Sequence, residues 1–485
     1  MLFSSITFLF YFFPAVLALY YLFRRSYPIK NGVLLIASLF FYAWGEPWFV
    51  LIMLASILGN YILALFVDKY REQKRKVKVI LLLTVLLNIG LLFVFKYTDF
   101  VIRNLNMAMD TDIPLLNLKL PIGISFFTFQ AMSYVIDVYR KDGRVQKNPF
   151  YVALYISFFP QLVAGPIVKY STIDEQISHR EETWDKFSVG VCRFLAGFGK
   201  KVLLANNFAI VADHIFNTYT NGGCPVALAW LGSFAYTFQI IFDFSGYSDM
   251  AIGLGLMFGF KFEENFNYPY ISQSIGEFWR RWHISLGNWF KEYVYFPLGG
   301  SKVGNMDKVI RNMLLSGLWH GAAWTFVLWG FLHGVGMIWD NLEHPHLPKK
   351  WMRQAATFAY VCMTFVFFRA ESIAQGIDVL KSIVSLKWNG FVFQMASALD
   401  LTEFYMITKA LSMKLPGLLS WFWLGIFVVL IAICFRVLSG KKVSGVVALQ
   451  KQKGYGRLYP VLLAVLFTWS MISMTGVSEY LYFSF

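Results

Sequence analysis

The sequence predicts an all-α polytopic membrane protein, and three observations carry that expectation. Of 485 residues, 57% are hydrophobic and only 15% charged, with a mean hydropathy of +0.54. A soluble chain of this length needs far more charge to keep its surface wet. The apolar residues fall in long runs with hardly a charge inside them, at 8–23, 33–41, 49–67, 79–95, 418–435 and 459–474. The basic residues, in turn, cluster in short segments between apolar runs. A run of about 20 apolar residues crosses the hydrocarbon as a helix that satisfies its own backbone, so about eleven crossings are expected, with further short and re-entrant helices. The first run follows Met1 with no basic segment before it and no small-residue cleavage site, and reads as a retained span.

The net charge of +15 raises the question of nucleic acid, but its distribution answers against it. The clusters are Arg24, Arg25 and Lys30; Lys69, Arg71, Lys74, Arg75, Lys76 and Lys78; Arg140, Lys141, Arg144 and Lys147; and the basic residues from Arg436 to Arg457. The positive-inside rule puts these on the cytoplasmic face, with the loop bearing Asp99, Asp110 and Asp112 outside and both termini on the outer face. Such an inner surface attracts anionic lipid headgroups or an anionic cytosolic substrate. Cys192, Cys224, Cys362 and Cys434 form no CxxC pair, and buried small hydrophobes is the expectation rather than disulfides.

One membrane domain, 1–485, is expected. Residues 1–97 read as peripheral spans, 120–340 as a core, and 353–485 as C-terminal spans. In the middle part apolar stretches are interrupted at Pro121-Ile-Gly123, Phe159-Pro-Gln161, Ala164-Gly-Pro166, Asp243-Phe-Ser-Gly246 and Phe296-Pro-Leu-Gly-Gly300. Broken backbone at membrane depth is tolerated only where protein or a watery cavity receives the freed polar groups, which marks this part as functional. No sequence repeat suggests the paired halves common in transporters.

Two stretches carry candidate chemistry. The first runs from Glu277 to Tyr293 and mixes tryptophans, paired arginines and His283. Interfacial rings with guanidiniums on phosphates account for it as well as a binding role does. The second places His320 in an apolar run with small residues at 316, 317 and 321–323, which let another backbone or a thin substrate chain approach closely. An imidazole in that setting is a candidate base, or a histidine merely hydrogen-bonded within the bundle. His333, 13 residues on, lies on another face of a straight helix and joins His320 only if the helix breaks. No metal site is expected: HxxxH and HExxH spacings are absent, and Glu343, His344 and His346 form a short loop cluster only. No Gly-x-Ser-x-Gly elbow is present. Asp243 and Asp249, with Ser245 and Ser248, read either as a coupling-ion site or as groups holding hydrogen bonds between broken helices, and the second is favoured.

At Trp279-Arg-Arg-Trp-His283-Ile-Ser-Leu, Tyr293-Val-Tyr-Phe-Pro-Leu-Gly-Gly300 and Gly317-Leu-Trp-His-Gly-Ala-Ala-Trp324 the chain resembles the membrane-bound O-acyltransferase family. The resemblance covers nearly the whole chain and is closest to the bacterial branch of alginate O-acetylation and teichoic-acid D-alanyl transfer proteins, the alginate type being nearer. It implies a ring of spans around a tunnelled core. It also implies His320 as catalytic histidine and His283 as a second active position, with no permanently bound cofactor. Trp282, Trp319, Arg280, Arg281, Asn288 and Trp324, which flank the two histidines, are the substrate-binding candidates. The expected reaction moves an acetyl group from a cytosolic thioester, acetyl-CoA, to an extracytoplasmic polysaccharide or an SGNH-type acetyltransferase partner. Acyl transfer from an acyl carrier protein to teichoic acid is the alternative, and a transporter or polysaccharide-export subunit is the alternative of another class. Membrane lipid is the expected surrounding, and nucleic acid is not a partner.

Overall fold

The computed structural model describes residues 1–23, 26–218, 224–300, 306–341, 349–385, 425 and 458–474. Among the described residues the regular elements are helices: α1 (Phe13–Leu22), α2 (Tyr27–Gly45), α3 (Phe49–Lys69), α4 (Lys74–Leu92), α5 (Thr98–Met109), α6 (Ile124–Arg140), α7 (Pro149–Ser157), α8 (Phe159–Leu162), α9 (Tyr170–Ser178), α10 (Trp184–Gly199), α11 (Asn206–Thr218), α12 (Val226–Met257), α13 (Ile275–Arg281), α14 (Ile284–Phe290), α15 (Met306–His320), α16 (Trp324–Asn341), α17 (Lys350–Arg369), α18 (Ile373–Val384) and α19 (Leu458–Ile472). Short π-helical turns join α4 to α5 and α10 to α11. Four helical stretches among the described residues are long and apolar enough to cross a membrane: Phe49–Lys69, Lys74–Met109, Trp184–Asn217 and Val226–Met257. On α3 and α4, Leu51, Leu58, Leu82 and Leu86 present more than half of their surface outward, as a helix does when its solvent is lipid. The apolar run at 418–435 apart from residue 425, the basic cluster after it, Cys434 and the Glu343–His346 cluster lie outside the described residues.

The chain divides into two compact units, one of residues 1–194 and 247–264, the other of 195–246 and 265–481. In the first unit, polar side chains pin apolar helices together. Asn60 of α3 and Asn88 of α4 exchange amide hydrogen bonds of 3.2 and 2.8 Å, and each also donates to the carbonyl four residues back. The interruptions at Pro121-Ile-Gly123 and Phe159-Pro-Gln161 are real breaks. Gly123 adopts φ +74° to start α6. Between α7 and α8 the freed groups find side chains: Phe159 N–H donates to Ser38 Oγ at 3.1 Å, and Gln161 Nε2 donates to the Tyr155 carbonyl at 2.7 Å. Lys30, expected in a basic loop, instead lies buried within α2 and is ion-paired with Glu182.

The expected break at Asp243-Phe-Ser-Gly246 is corrected. Helix α12 runs unbroken for 32 residues through it, about 48 Å at the usual rise. The polar residues there do not interrupt the helix because neighbours neutralise them. In the second unit Lys201 Nζ lies 2.5 Å from Asp243 Oδ1, both side chains buried, and Gly246 lets the Gly197 carbonyl approach. In the first unit Arg193 contacts Asp249 at 2.9 Å and pairs also with Glu264. Each aspartate therefore holds a neighbouring cation, as the hydrogen-bonding reading of these residues requires.

In the second unit α15 and α16 form a hairpin joined only by Gly321, Ala322 and Ala323. Their backbones touch. A Cβ on Gly317 would lie 2.3 Å from the Phe326 carbonyl oxygen, and one on Gly330 2.3 Å from that of Met313. The small residues of this stretch thus admit another backbone, that of α16, as in other close helix pairs in membranes. Gly330→Ala should lower the thermal stability of the detergent-solubilised protein by about 1–3 kcal/mol, since backbone cannot yield as a side chain can. Gly90→Ala, with nothing within 4 Å of the added carbon, should leave the melting temperature unchanged or slightly raised; equal behaviour of the two variants would contradict the packing.

Candidate active site

The site is built from two chain breaks in the second unit. The first separates α13 from α14. Ser274 caps α13 by accepting from Glu277 N–H, and Glu277 in turn accepts from Gln273 N–H and from Arg281, a variant of the capping box. The helix ends at Trp282, and His283 takes a left-handed conformation, φ 44° and ψ 53°, before α14 begins. That conformation is unfavourable for an L-residue other than glycine, by about 1–2 kcal/mol. Asn265 offsets it. Its carbonyl accepts from Ile284 N–H at 2.9 Å, and its Oδ1 accepts from Ser285 N–H at 3.1 Å and Ser285 Oγ at 2.9 Å. The same Oδ1 lies 3.2 Å from His283 Nδ1. Because a backbone N–H already identifies that atom as an acceptor, Nδ1 must be the protonated nitrogen, which makes Nε2 the basic one.

The second break follows His320, the last residue of α15. Its ring is buried against Trp319 (4.9 Å between centroids), Trp329 (5.2 Å) and Phe368 (5.3 Å). The helix does break after it, so His333 on α16 returns to the same Trp329 ring, 4.9 Å away. His333 is nevertheless fully engaged. Trp279 Nε1, a donor only, gives its proton to Nδ1 at 3.2 Å. Nε2–H therefore donates to Thr364 Oγ1 at 3.0 Å, and that hydroxyl donates to the Val361 carbonyl. His333 is accordingly a structural histidine that locks α13, α16 and α17 together.

The two histidines singled out in the sequence face a common tryptophan. The Trp319 ring lies 4.9 Å from His320 and 6.4 Å from His283, and both imidazoles are nearly sealed from solvent. The other candidates divide. Trp282 stacks on Phe278 and Tyr270 and abuts Phe266 and Phe365, within the aromatic packing beneath the site. Arg281 is held by Glu277 and the Asn267 carbonyl. Arg280, Asn288 and Trp324 are exposed, unlike the closed ring cluster. Sequence reading missed Asn265 and Trp329. An asparagine in a loop carries no signal of its own, and Trp329 was one of many tryptophans.

An all-helical membrane protein with two buried histidines at helix breaks defines a class; comparison with known proteins defines the family. The pattern of the membrane-bound O-acyltransferase family matches residues 36–376. A probable alginate O-acetylase of Pseudomonas putida is 44% identical over 388 residues, 77% of this chain and 78% of the relative. A peptidoglycan O-acetyltransferase of Helicobacter pylori is 37% identical, over 80% of each chain. A teichoic acid D-alanyltransferase of Bacillus subtilis is 33% identical over 52% of this chain and 69% of its own. The chain belongs to the membrane-bound O-acyltransferase family, and is thus a multi-pass membrane enzyme that transfers acyl groups to oxygen.

Asn265→Leu removes an oxygen that takes three donors, each costing about 1–3 kcal/mol when left buried and unmet. It should lower both melting temperature and transfer activity, while Asn265→Asp, which keeps the accepting oxygen, should retain more of each. Equal losses in the two variants would show that the oxygen is not what matters.

Proposed function

We propose that this protein is an O-acetyltransferase of the bacterial inner membrane. It moves an acetyl group from a cytosolic thioester, acetyl-CoA, to a hydroxyl on the outer side, carried by an exported polysaccharide or by an SGNH-type acetyltransferase partner. The observation that carries this reading is the pair His320 and His283, each packed near the Trp319 ring, both buried and both at helix breaks. In it His320 is the general base: it accepts the proton of the acceptor hydroxyl as that oxygen attacks the thioester carbon. It then returns the proton to the departing thiolate. His283, with Nδ1–H committed to Asn265, keeps a fixed ring orientation and Nε2 as its accepting atom, suited to a second hydroxyl of the acceptor, since the single proton of the attacking one goes to His320. The two relatives that share most of their length with this chain are named for O-acetyl transfer, one to alginate and one in peptidoglycan, which supports a polysaccharide acceptor. Basic inner loops favour the phosphates of coenzyme A, and the same charge asymmetry supports outward-facing termini.

D-Alanyl transfer from a carrier protein is the second reading, favoured only by the shorter match to the teichoic acid enzyme. A transporter using Asp243 and Asp249 is disfavoured by the cations already bound to both carboxylates.

Inverted membrane vesicles given acetyl-labelled acetyl-CoA should transfer label to luminal acceptor. His320→Ala should lower the rate by roughly 10²–10⁴-fold, the range of a lost general base. Label moving only from a charged carrier protein would select the D-alanyl type of reaction. Undiminished transfer by His320→Ala would overturn the catalytic assignment.

A further inference from the structure

We propose that the indole N–H of Trp329 donates a hydrogen bond to the acyl oxygen of the substrate at His320, making Trp329 a further catalytic residue. The proposal rests on the reading of His320 as the base and adds a residue and a role to it.

Trp329 is almost fully buried, at 1% exposure, and among the described residues its Nε1 has no hydrogen-bond partner. Indole offers a donor and no acceptor, so this proton needs an oxygen or nitrogen from elsewhere. Buried donors left without partners are rare in native proteins, and each calls for an explanation. The surrounding groups do not supply one. Trp329 is boxed by His320, His333, Trp279, Phe365 and Phe368, at centroid distances of 4.9 to 6.4 Å. Of these, His333 already accepts from Trp279 and donates to Thr364, and the phenylalanines have nothing to offer. A water there would look for two or more polar partners in a shell that is mostly aromatic carbon. An acyl oxygen needs only a donor and brings its own apolar methyl group.

Position favours the same ligand. The His320 and Trp329 rings meet edge to face, 87° apart, with centroids 5.2 Å apart. A thioester carbon attacked by a hydroxyl held on His320 lies beside that ring, so its oxygen falls within reach of the neighbouring indole. In the reaction the acceptor oxygen forms its bond to the carbonyl carbon while its proton passes to His320. The C=O π pair moves onto the acyl oxygen, where the Trp329 N–H meets the growing negative charge. Collapse restores C=O, breaks the C–S bond, and the thiolate takes the proton from His320, giving an ester and a free thiol.

The test uses the full-length protein in membranes and acetyl-CoA labelled with carbon-13 at the carbonyl. Trp329→Phe should lower kcat by about 10²-fold with little change in KM, the loss typical of one oxyanion donor. In the non-turning-over His320→Ala background, the infrared carbonyl band of bound acetyl-CoA should lie at higher frequency with Trp329→Phe added than without it. Should Trp329→Phe fail to accumulate, Trp329→Gln, which keeps an N–H donor, should outperform Trp329→Leu of similar volume. Wild-type kcat in Trp329→Phe, an unmoved carbonyl band, or equal activity of the Gln and Leu variants would overturn the proposal while leaving His320 intact as base. Full transfer by His320→Ala would instead overturn the underlying reading.

Discussion

The backbone contact between α15 and α16 is what the site depends on. Gly317 and Gly330 remove the side chains that would hold the two helices apart, and a carbonyl from the partner helix occupies each place. Lipid offers no hydrophobic force to drive helices together, so close approach and dispersion must hold this pair. The consequence is positional. With the helices in backbone contact and only Gly321, Ala322 and Ala323 to reverse the chain, His320 lies at the end of one helix directly against Trp329 of the next. A Cβ at Gly321 would strike the Phe326 ring at 2.1 Å, so the turn itself is shaped for this closure.

A second constraint operates within each unit: no polar group at membrane depth can be left to water. Asn265 shows the solution for backbone, one side chain taking the donors released where α13 gives way to α14. Lys201 with Asp243, and Arg193 with Asp249 and Glu264, show it for charge. Removing one member of such a pair would leave a buried ion uncompensated, which costs far more than the pair contributes. His333 shows it for an imidazole, with both ring nitrogens committed to neighbours on α13 and α17. The N–H of Trp329, beside His320, has no such neighbour among the described residues.

Much of the fold was legible. Apolar runs at 49–67 and 79–95 became α3 and α4 because a helix in lipid needs only length and apolarity, both of which are local. The breaks at Gly123 and Phe159 were legible too, since glycine and proline act on their own backbone. The break expected at Asp243–Gly246 was misread for the converse reason. An aspartate on paper is a charge without a partner, and Lys201, 42 residues away, is invisible until the helices are side by side. Lys30 was misread as a loop cation on the same ground, its partner Glu182 lying 152 residues away.

The sequence by itself determined the helical, membrane-embedded class, the family motifs, and the two histidines worth attention, because hydropathy, charge asymmetry and local motifs are properties of neighbouring residues. Only the tertiary structure decided that His320 and His283 face the same Trp319 ring, that Asn265 assigns the tautomer of His283, and that His333 is structural although it lies one ring from His320. Those outcomes depend on which distant side chains meet, and in a membrane interior that is settled by close packing and by the requirement that every buried donor find an acceptor.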